Sequence, residues 1–195
     1  TPWSEDEIPF ETAAEIGTKK VIDEHSTIGI LVTTDGSVTD IPREDYIKAE
    51  ERVVNELKQL NKPFIILLNS YEPNSTYTRE LADTLSEKYN TTVIPTNCEN
   101  LSLDDINTMF TKLLYEFPAS QISIKFPRWI DGLDFDHPLK AELFREIKDA
   151  FEPIRVLKDV SNCIDKIKQT EIISRTAIDD IRLDSGNVNV EITLK

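Results

Sequence analysis

Apolar residues run without a break from Phe64 to Leu68 and stop at the polar pair Asn69-Ser70. A strand with one wet face alternates, so this run predicts a strand buried on both sides, as at the centre of a parallel sheet covered by helices. Thr27–Thr34 reads as a second buried strand, ending at Thr33-Thr34-Asp35-Gly36. Thr91–Pro95 reads as a short third strand that leaves through Thr96–Asn100. Phe10, Ala14, Gly17 and Val21 predict a helix over about 11–24. Ile47, Val53, Val54, Leu57 and Leu60 predict another over about 43–60, with Pro42 suited to its first turn. Leu81, Leu85 and Tyr89 mark the inner face of a third helix, capped by Ser75 or Thr76. Ser102 with Asp105 resembles a capping box, and it opens a helix with Ile106, Met109, Phe110, Leu113, Leu114 and Phe117 inward. The alternation of helix and strand predicts an α/β fold with a parallel sheet and right-handed crossovers. Ahead of it, the acidic, proline-flanked Thr1–Pro9 reads as extended.

The pattern changes at Pro118. Ile122, Ile124 and Phe126 alternate with Ser123 and Lys125, which predicts a strand with one solvated face. Asp131–His137 reads as an acidic loop. Pro138 opens a long helical region with Leu139, Leu143, Ile147, Phe151, Ile154 and Leu157 inward, and Pro153 should kink or split it. A further helical piece runs to about Lys168. The end is a hairpin: Ile178–Leu183, a turn at Asp184-Ser185-Gly186-Asn187, then Val188, Val190, Ile192 and Leu194 in alternation. The boundary falls near 117–120, giving domains 1–118 and 119–195, the second a smaller α+β domain.

Charge narrows the partners. Lys plus Arg number 22 against 36 Asp plus Glu, a net charge of −14. Such a surface repels phosphate backbones, so nucleic acid is not an expected partner. No apolar run approaches the ~18 residues of a membrane span. Cys98 and Cys163 lie far apart, with no CxxC, which fits a reducing compartment. The chain begins Thr-Pro-Trp without Met and reads as a fragment or a processed chain.

The five glycines, at 17, 29, 36, 132 and 186, fit neither G-x-x-x-x-G-K-[ST] nor GxGxxG, so the chain has no phosphate cradle of the P-loop kind. No metal set is spaced correctly, since His25 and His137 are isolated and neither cysteine has a partner. His25 reads as a helix C-terminal residue. Cys98 has no neighbouring histidine to activate it and reads as inert. Asp131, Asp134 and Asp136 lack the closing Glu and the placed Gly of a calcium loop. Asp35 lacks the acidic pair and the lysine of a phospho-receiver. Three strand ends remain, Thr34-Asp35, Asn69-Ser70 and Asn97-Cys98, on the sheet edge where α/β proteins collect ligands.

Three strand ends in this order resemble the second half of a P-loop GTPase-type domain. There an N-K-x-D motif reads guanine. Here Asn69-Ser70-Tyr71-Glu72 keeps Asn, replaces Lys by Ser and Asp by Glu, and Asn97-Cys98-Glu99 stands for the later S-A-K-like loop. Adenine is the natural alternative to guanine. A closer likeness is carried by Thr1-Pro-Trp, Ile8-Pro-Phe10, Ala13–Thr18, Glu24–Gly29, Thr33–Gly36, Ala49–Val53, Lys62–Ile65, Asn69-Ser70, Leu85–Tyr89 and Leu114–Pro118. Pro127 and Trp129 add local support further on. Through these residues the chain resembles the stage IV sporulation protein A family.

The resemblance implies a partial P-loop NTPase-type sheet followed by part of a middle domain. It implies a parent that binds ATP with Mg2+ and hydrolyses it to drive self-assembly of the spore-coat basement layer. The place implied is the mother-cell cytoplasm, at the forespore surface. The implied partners are further copies of itself, other coat morphogenetic proteins, and a small amphipathic membrane peptide bound by a C-terminal domain. The positions carried over for nucleotide binding are Asn69, Ser70, Thr34, Asp35 and Asn97. No catalytic residue or metal ligand is carried over, because the family's magnesium and water-positioning segments precede Thr1; the fragment alone is expected to be inactive. A Walker A loop is expected about a hundred residues upstream. Without the strands from that region one sheet edge should be bare and aggregation-prone. Two other readings stand beside this one: a non-catalytic assembly module, and a degenerate GTPase-like regulator. The named residues could also do no more than close buried strands.

Overall fold

The computed structural model describes residues 9–167 and 172–195, so the extended reading of the first eight residues and the helical reading at Lys168 lie outside it. The chain divides into two units, Thr1–Met109 and Phe110–Lys195.

In the first unit β1 (Gly29–Thr34), β2 (Phe64–Asn69) and β3 (Val93–Thr96) form a parallel sheet in the order β1-β2-β3. The unbroken apolar run is the central strand, and all of Phe64–Leu68 is buried. Phe64, Ile66 and Leu68 pack against Val54 and Leu57 of α2 (Arg43–Gln59) and Ala82, Leu85 and Tyr89 of α3 (Thr76–Tyr89). Ile65 and Leu67 point to the opposite face and are buried as completely. α2 starts directly after Pro42. Ser75 caps α3 by accepting from Thr78 N–H, and Asn90 ends it in the left-handed region. α4 (Leu103–Tyr115) opens with a complete capping box: Asp105 N–H donates to Ser102 Oγ at 3.1 Å, and Ser102 N–H donates to Asp105 Oδ2 at 2.9 Å.

Three expectations need correction. β1 is not buried on both sides: Ile30 and Val32 are 45% and 55% exposed. It is an edge strand, and the α2 and α3 layer covers only the face that carries Leu31. In α4, Ile106 and Phe110 are exposed rather than inward, while Met109 and Leu113 are buried. The first helix is α-helical only over α1 (Phe10–Lys20); Val21–His25 forms a wider π turn. Phe10 is exposed and Ile22 packs on the core instead. The π turn fits because Lys62 Nζ donates to the carbonyls of Ile22, Asp23 and Ser26, satisfying acceptors that a helix end leaves open. His25 stands at the end of that turn, as expected.

The second unit has a mixed sheet in the order β4-β6-β5, from β4 (Gln121–Lys125), β5 (Ile173–Arg182) and β6 (Asn187–Leu194). β4 runs parallel to β6, and β5 antiparallel to it. Val188, Val190 and Ile192 of β6 enter a core with α5 (Pro138–Phe151) and α6 (Leu157–Ile167). Pro153 does split the helical region. β5 starts at Ile173 rather than Ile178; register shifts at Ile173/Arg175 and Ile178/Asp180 break the alternation by which a strand is read.

Gly186 turns the hairpin at φ +70°, and its carbonyl accepts from Ser120 N–H at 2.8 Å. A Cβ there would stand 2.6 Å from the Pro118 carbonyl oxygen and 2.8 Å from Ser120 Oγ. Gly186→Ala therefore adds left-handed strain and a backbone clash. It should destabilise the second unit by about 1–3 kcal/mol, read as a lower urea midpoint; an unchanged midpoint would contradict this geometry.

Candidate functional site

Parallel register brings the strand ends level, with Thr34 opposite Asn69 and Asn69 opposite Thr96. Asp35, Ser70 and Asn97 follow one residue later, on one edge. The backbone locks them: Asp35 N–H donates to the Asn69 carbonyl at 3.3 Å, and Ser70 N–H to the Thr96 carbonyl at 2.9 Å.

Asp35 is the hub. Its Oδ1 accepts from Ser37 N–H at 2.9 Å and Ser37 Oγ–H at 2.6 Å, and its Oδ2 accepts from Thr78 Oγ–H at 3.1 Å. Thr78 Oγ1 also lies 3.3 Å from Ser70 Oγ and 2.8 Å from Ser75 Oγ. Ser70 Oγ accepts from Glu72 N–H at 3.0 Å, and Ser37 Oγ accepts from Tyr71 N–H at 3.1 Å. Burial pushes the Asp35 carboxyl up, but hydrogen bonds from Ser37, Ser70 and Thr78 outweigh it and hold the group below the usual aspartate value. Thr34 Oγ1 accepts from Gly36 N–H at 3.1 Å, and Gly36 takes φ +93°, which lets the loop turn onto Arg43.

Asn69 and Asn97 are less enclosed. Asn69 Oδ1 accepts from Cys98 N–H at 2.9 Å, which leaves its Nδ2 donors unengaged among the described residues. Asn97 Oδ1 accepts from Glu99 N–H at 3.0 Å and caps the short turn Cys98–Asn100. The five residues thus share one edge but not one role. Ser70, 1% exposed, and the buried Thr34 and Asp35 hold the loops, while the partly buried Asn69 and Asn97 keep their Nδ2 donors unengaged among the described residues. Burial raises the Cys98 thiol, which leaves it a weak nucleophile near neutral pH. Among the described residues no three His, Cys, Asp or Glu side chains converge as a metal site would require.

The sequence reading missed Thr78 and a second network beneath the site. Thr78 lies 43 residues from Asp35 on a helix face, with no motif to flag it. Glu50, 3% exposed, accepts from Thr33 Oγ–H at 2.6 Å, Tyr89 O–H at 2.8 Å and Arg43 at 2.9 Å. Arg43 Nε is buried without a hydrogen bond. Burial pushes the Glu50 carboxyl up, yet hydrogen bonds from Arg43, Thr33 and Tyr89 and the Arg43 charge bring it below the ordinary glutamate value. One carboxylate thereby ties the end of β1 to the start of α2 and the end of α3.

Glu50→Ala would strand the Arg43 guanidinium in the interior. The expected loss is about 3–5 kcal/mol, measured by urea unfolding; a loss below about 1 kcal/mol would mean the pair behaves as an exposed one. Asp35 and Glu50 also predict a pH response. Both release protons more readily folded than unfolded, so their stabilisation is complete above the unfolded pKa values of about 4. It is lost as pH falls through the lower folded values. Between neutrality and about pH 3, the wild type should therefore lose more stability than a variant carrying Asp35→Asn and Glu50→Gln. Parallel pH profiles for the two would contradict this.

Comparison with known proteins places the chain. A family model described as the stage IV sporulation protein A ATPase domain matches residues 1–118, and one described as the middle domain matches residues 119–195. Stage IV sporulation protein A of Clostridioides difficile is 42% identical over 195 residues, which is 100% of this chain and 40% of that protein. The Bacillus anthracis and Bacillus subtilis proteins of the same name are 41% and 40% identical over 192 residues, each covering 98% of this chain and 39% of the relative. The chain therefore spans about two-fifths of the length of these curated relatives. No solved structure matches it. With the two family models together matching residues 1–195, the chain belongs to the stage IV sporulation protein A family.

Proposed function

We propose that this chain forms the base-side edge of a nucleotide site in a longer protein that hydrolyses ATP and assembles with copies of itself into the spore coat. The observation that carries the reading is the level register of the three strand ends, with Asn69, its Nδ2 donors unengaged among the described residues, on the central strand. An edge of this kind is where open α/β sheets bind ligands.

The residues fit a purine better than they fit the rest of a nucleotide. Asn69 Nδ2 is a donor suited to a ring nitrogen such as N7. Guanine also needs a carboxylate opposite its N1 and N2 hydrogens. Both Asp35 oxygens are already engaged, and Glu72 carries a longer arm than the aspartate it replaces. Adenine makes no such demand. The phosphates and Mg2+ call for a glycine-rich loop and an acidic cluster. The sequence contains no such loop, and the described residues hold no such cluster. Hydrolysis, when the complete protein performs it, is assigned to no residue of this chain. Magnesium would supply charge neutralisation on the phosphates.

A second reading, an assembly module that does not touch nucleotide, is favoured by the internal engagement of Ser70 and Asp35. Asn69→Ala in the complete protein separates the two. Loss of one hydrogen bond should weaken ATP binding about tenfold, read by titration calorimetry, with GTP a poor competitor. Unchanged ATP affinity would make Asn69 a strand-closing residue and leave the assembly reading. Equal competition by GTP would favour a GTPase-like regulator.

A further inference from the structure

The segment ahead of β1 is fastened to the first unit by one cation. Lys62 Nζ donates to the carbonyls of Ile22, of Asp23 at 2.8 Å and of Ser26 at 2.6 Å. An ammonium has three N–H donors, so three carbonyls use it fully. A charged donor also makes these bonds stronger than bonds between neutral groups. The end of α2 sets Lys62 in place: Asn61 takes φ +51°, and Lys62 N–H donates to the Leu57 carbonyl at 3.4 Å. The next residue serves the same clasp, because the Pro63 carbonyl accepts from Gly29 N–H at 3.0 Å at the start of β1. The side chains of Asp23, Glu24 and His25 are exposed, and each bond of the ammonium goes to main-chain oxygen.

Apolar packing behind the clasp is thin. Phe10, Ile16 and Val21 are exposed, and Ile22 packs only partly buried on the α2 and α3 cluster. Beside Ile22 a cavity of about 60 Å3 remains, with Lys19 on one side and Val53, Leu57 and Leu60 on the other. An unfilled seam forgoes the dispersion contacts of a packed helix. α1 has 11 residues, too few to hold a helix alone in water. Its order therefore depends on its attachment. The sheet beneath is different, since Ile65, Ile66 and Leu68 are fully buried. Segments held so unequally open at different free energies.

We propose that Phe10–Ser26 is a strap closed by the Lys62 ammonium, which opens as a unit while the sheet beneath it stays folded. Opening uncovers Val53 and Leu57 on α2. It also frees the entry to β1, the edge strand whose far end leads into Asp35.

Hydrogen exchange read by mass spectrometry on the complete protein tests this, with Gly17–Ser26 compared against β2 and α3. Lys62→Met keeps an apolar stem and removes the ammonium. It should speed exchange over Gly17–Ser26 about tenfold or more and leave β2 and α3 as they are. In the wild type, urea should speed exchange of the same segment at concentrations that leave β2 protected. Unchanged exchange over Gly17–Ser26 in Lys62→Met would leave the clasp without weight and overturn the proposal. If Lys62→Met loosens β2 and α3 as well, the wild-type urea series decides. Strap amides exchanging ahead of β2 uphold a separate strap, and strap amides exchanging only together with β2 overturn it.

Discussion

A strand that is apolar at five successive positions cannot lie at the rim of a protein. Phe64–Leu68 imposes that constraint here. Side chains leave a strand alternately to both faces, so both must be covered, and the backbone needs a hydrogen-bonded neighbour on each side. β1 and β3 meet the second demand, and α2 and α3 cover one face. The parallel direction follows from the helical crossovers, and it sets all three strand ends on one edge. The chemistry of Asn69, Asp35 and Asn97 is thus a by-product of burying one short run of Ile and Leu.

Two carboxylates then hold the edge from opposite sides. Asp35 gathers the loops after β1 and β2 through Ser37, Thr78 and Ser70. Glu50 gathers β1, α2 and α3 through Thr33, Arg43 and Tyr89. Hydrogen bonds keep both charged in spite of burial. The two carboxylates with the most partners therefore serve geometry, while Asn69 and Asn97 keep amide donors unengaged among the described residues.

What could be read in the sequence was what depends on local pattern. β2, the Ser102–Asp105 box, the break at Pro153 and the last strand all follow from periodicity, caps or proline within a few residues. What could not be read depends on neighbours far along the chain. Ile30 and Val32 look like core residues, and only the strand order leaves them in water. Ile106 and Phe110 continue a good amphipathic pattern without a surface to meet. Thr78 and Glu50 carry no motif, because an Asp–Thr bond across 43 residues leaves no trace in spacing. The strand-end residues themselves were visible; the division of labour among them was not.

The two thiols differ in a way that is useful at the bench. Cys163 is packed in the core of the second unit, whereas Cys98 is only partly covered and its amide is bonded to Asn69. A maleimide dye or spin label would react first at Cys98, more readily at mildly alkaline pH because burial raises that thiol. The label would then stand one residue from Asn97 and one hydrogen bond from Asn69, giving an optical or magnetic reporter of whatever occupies the strand-end edge.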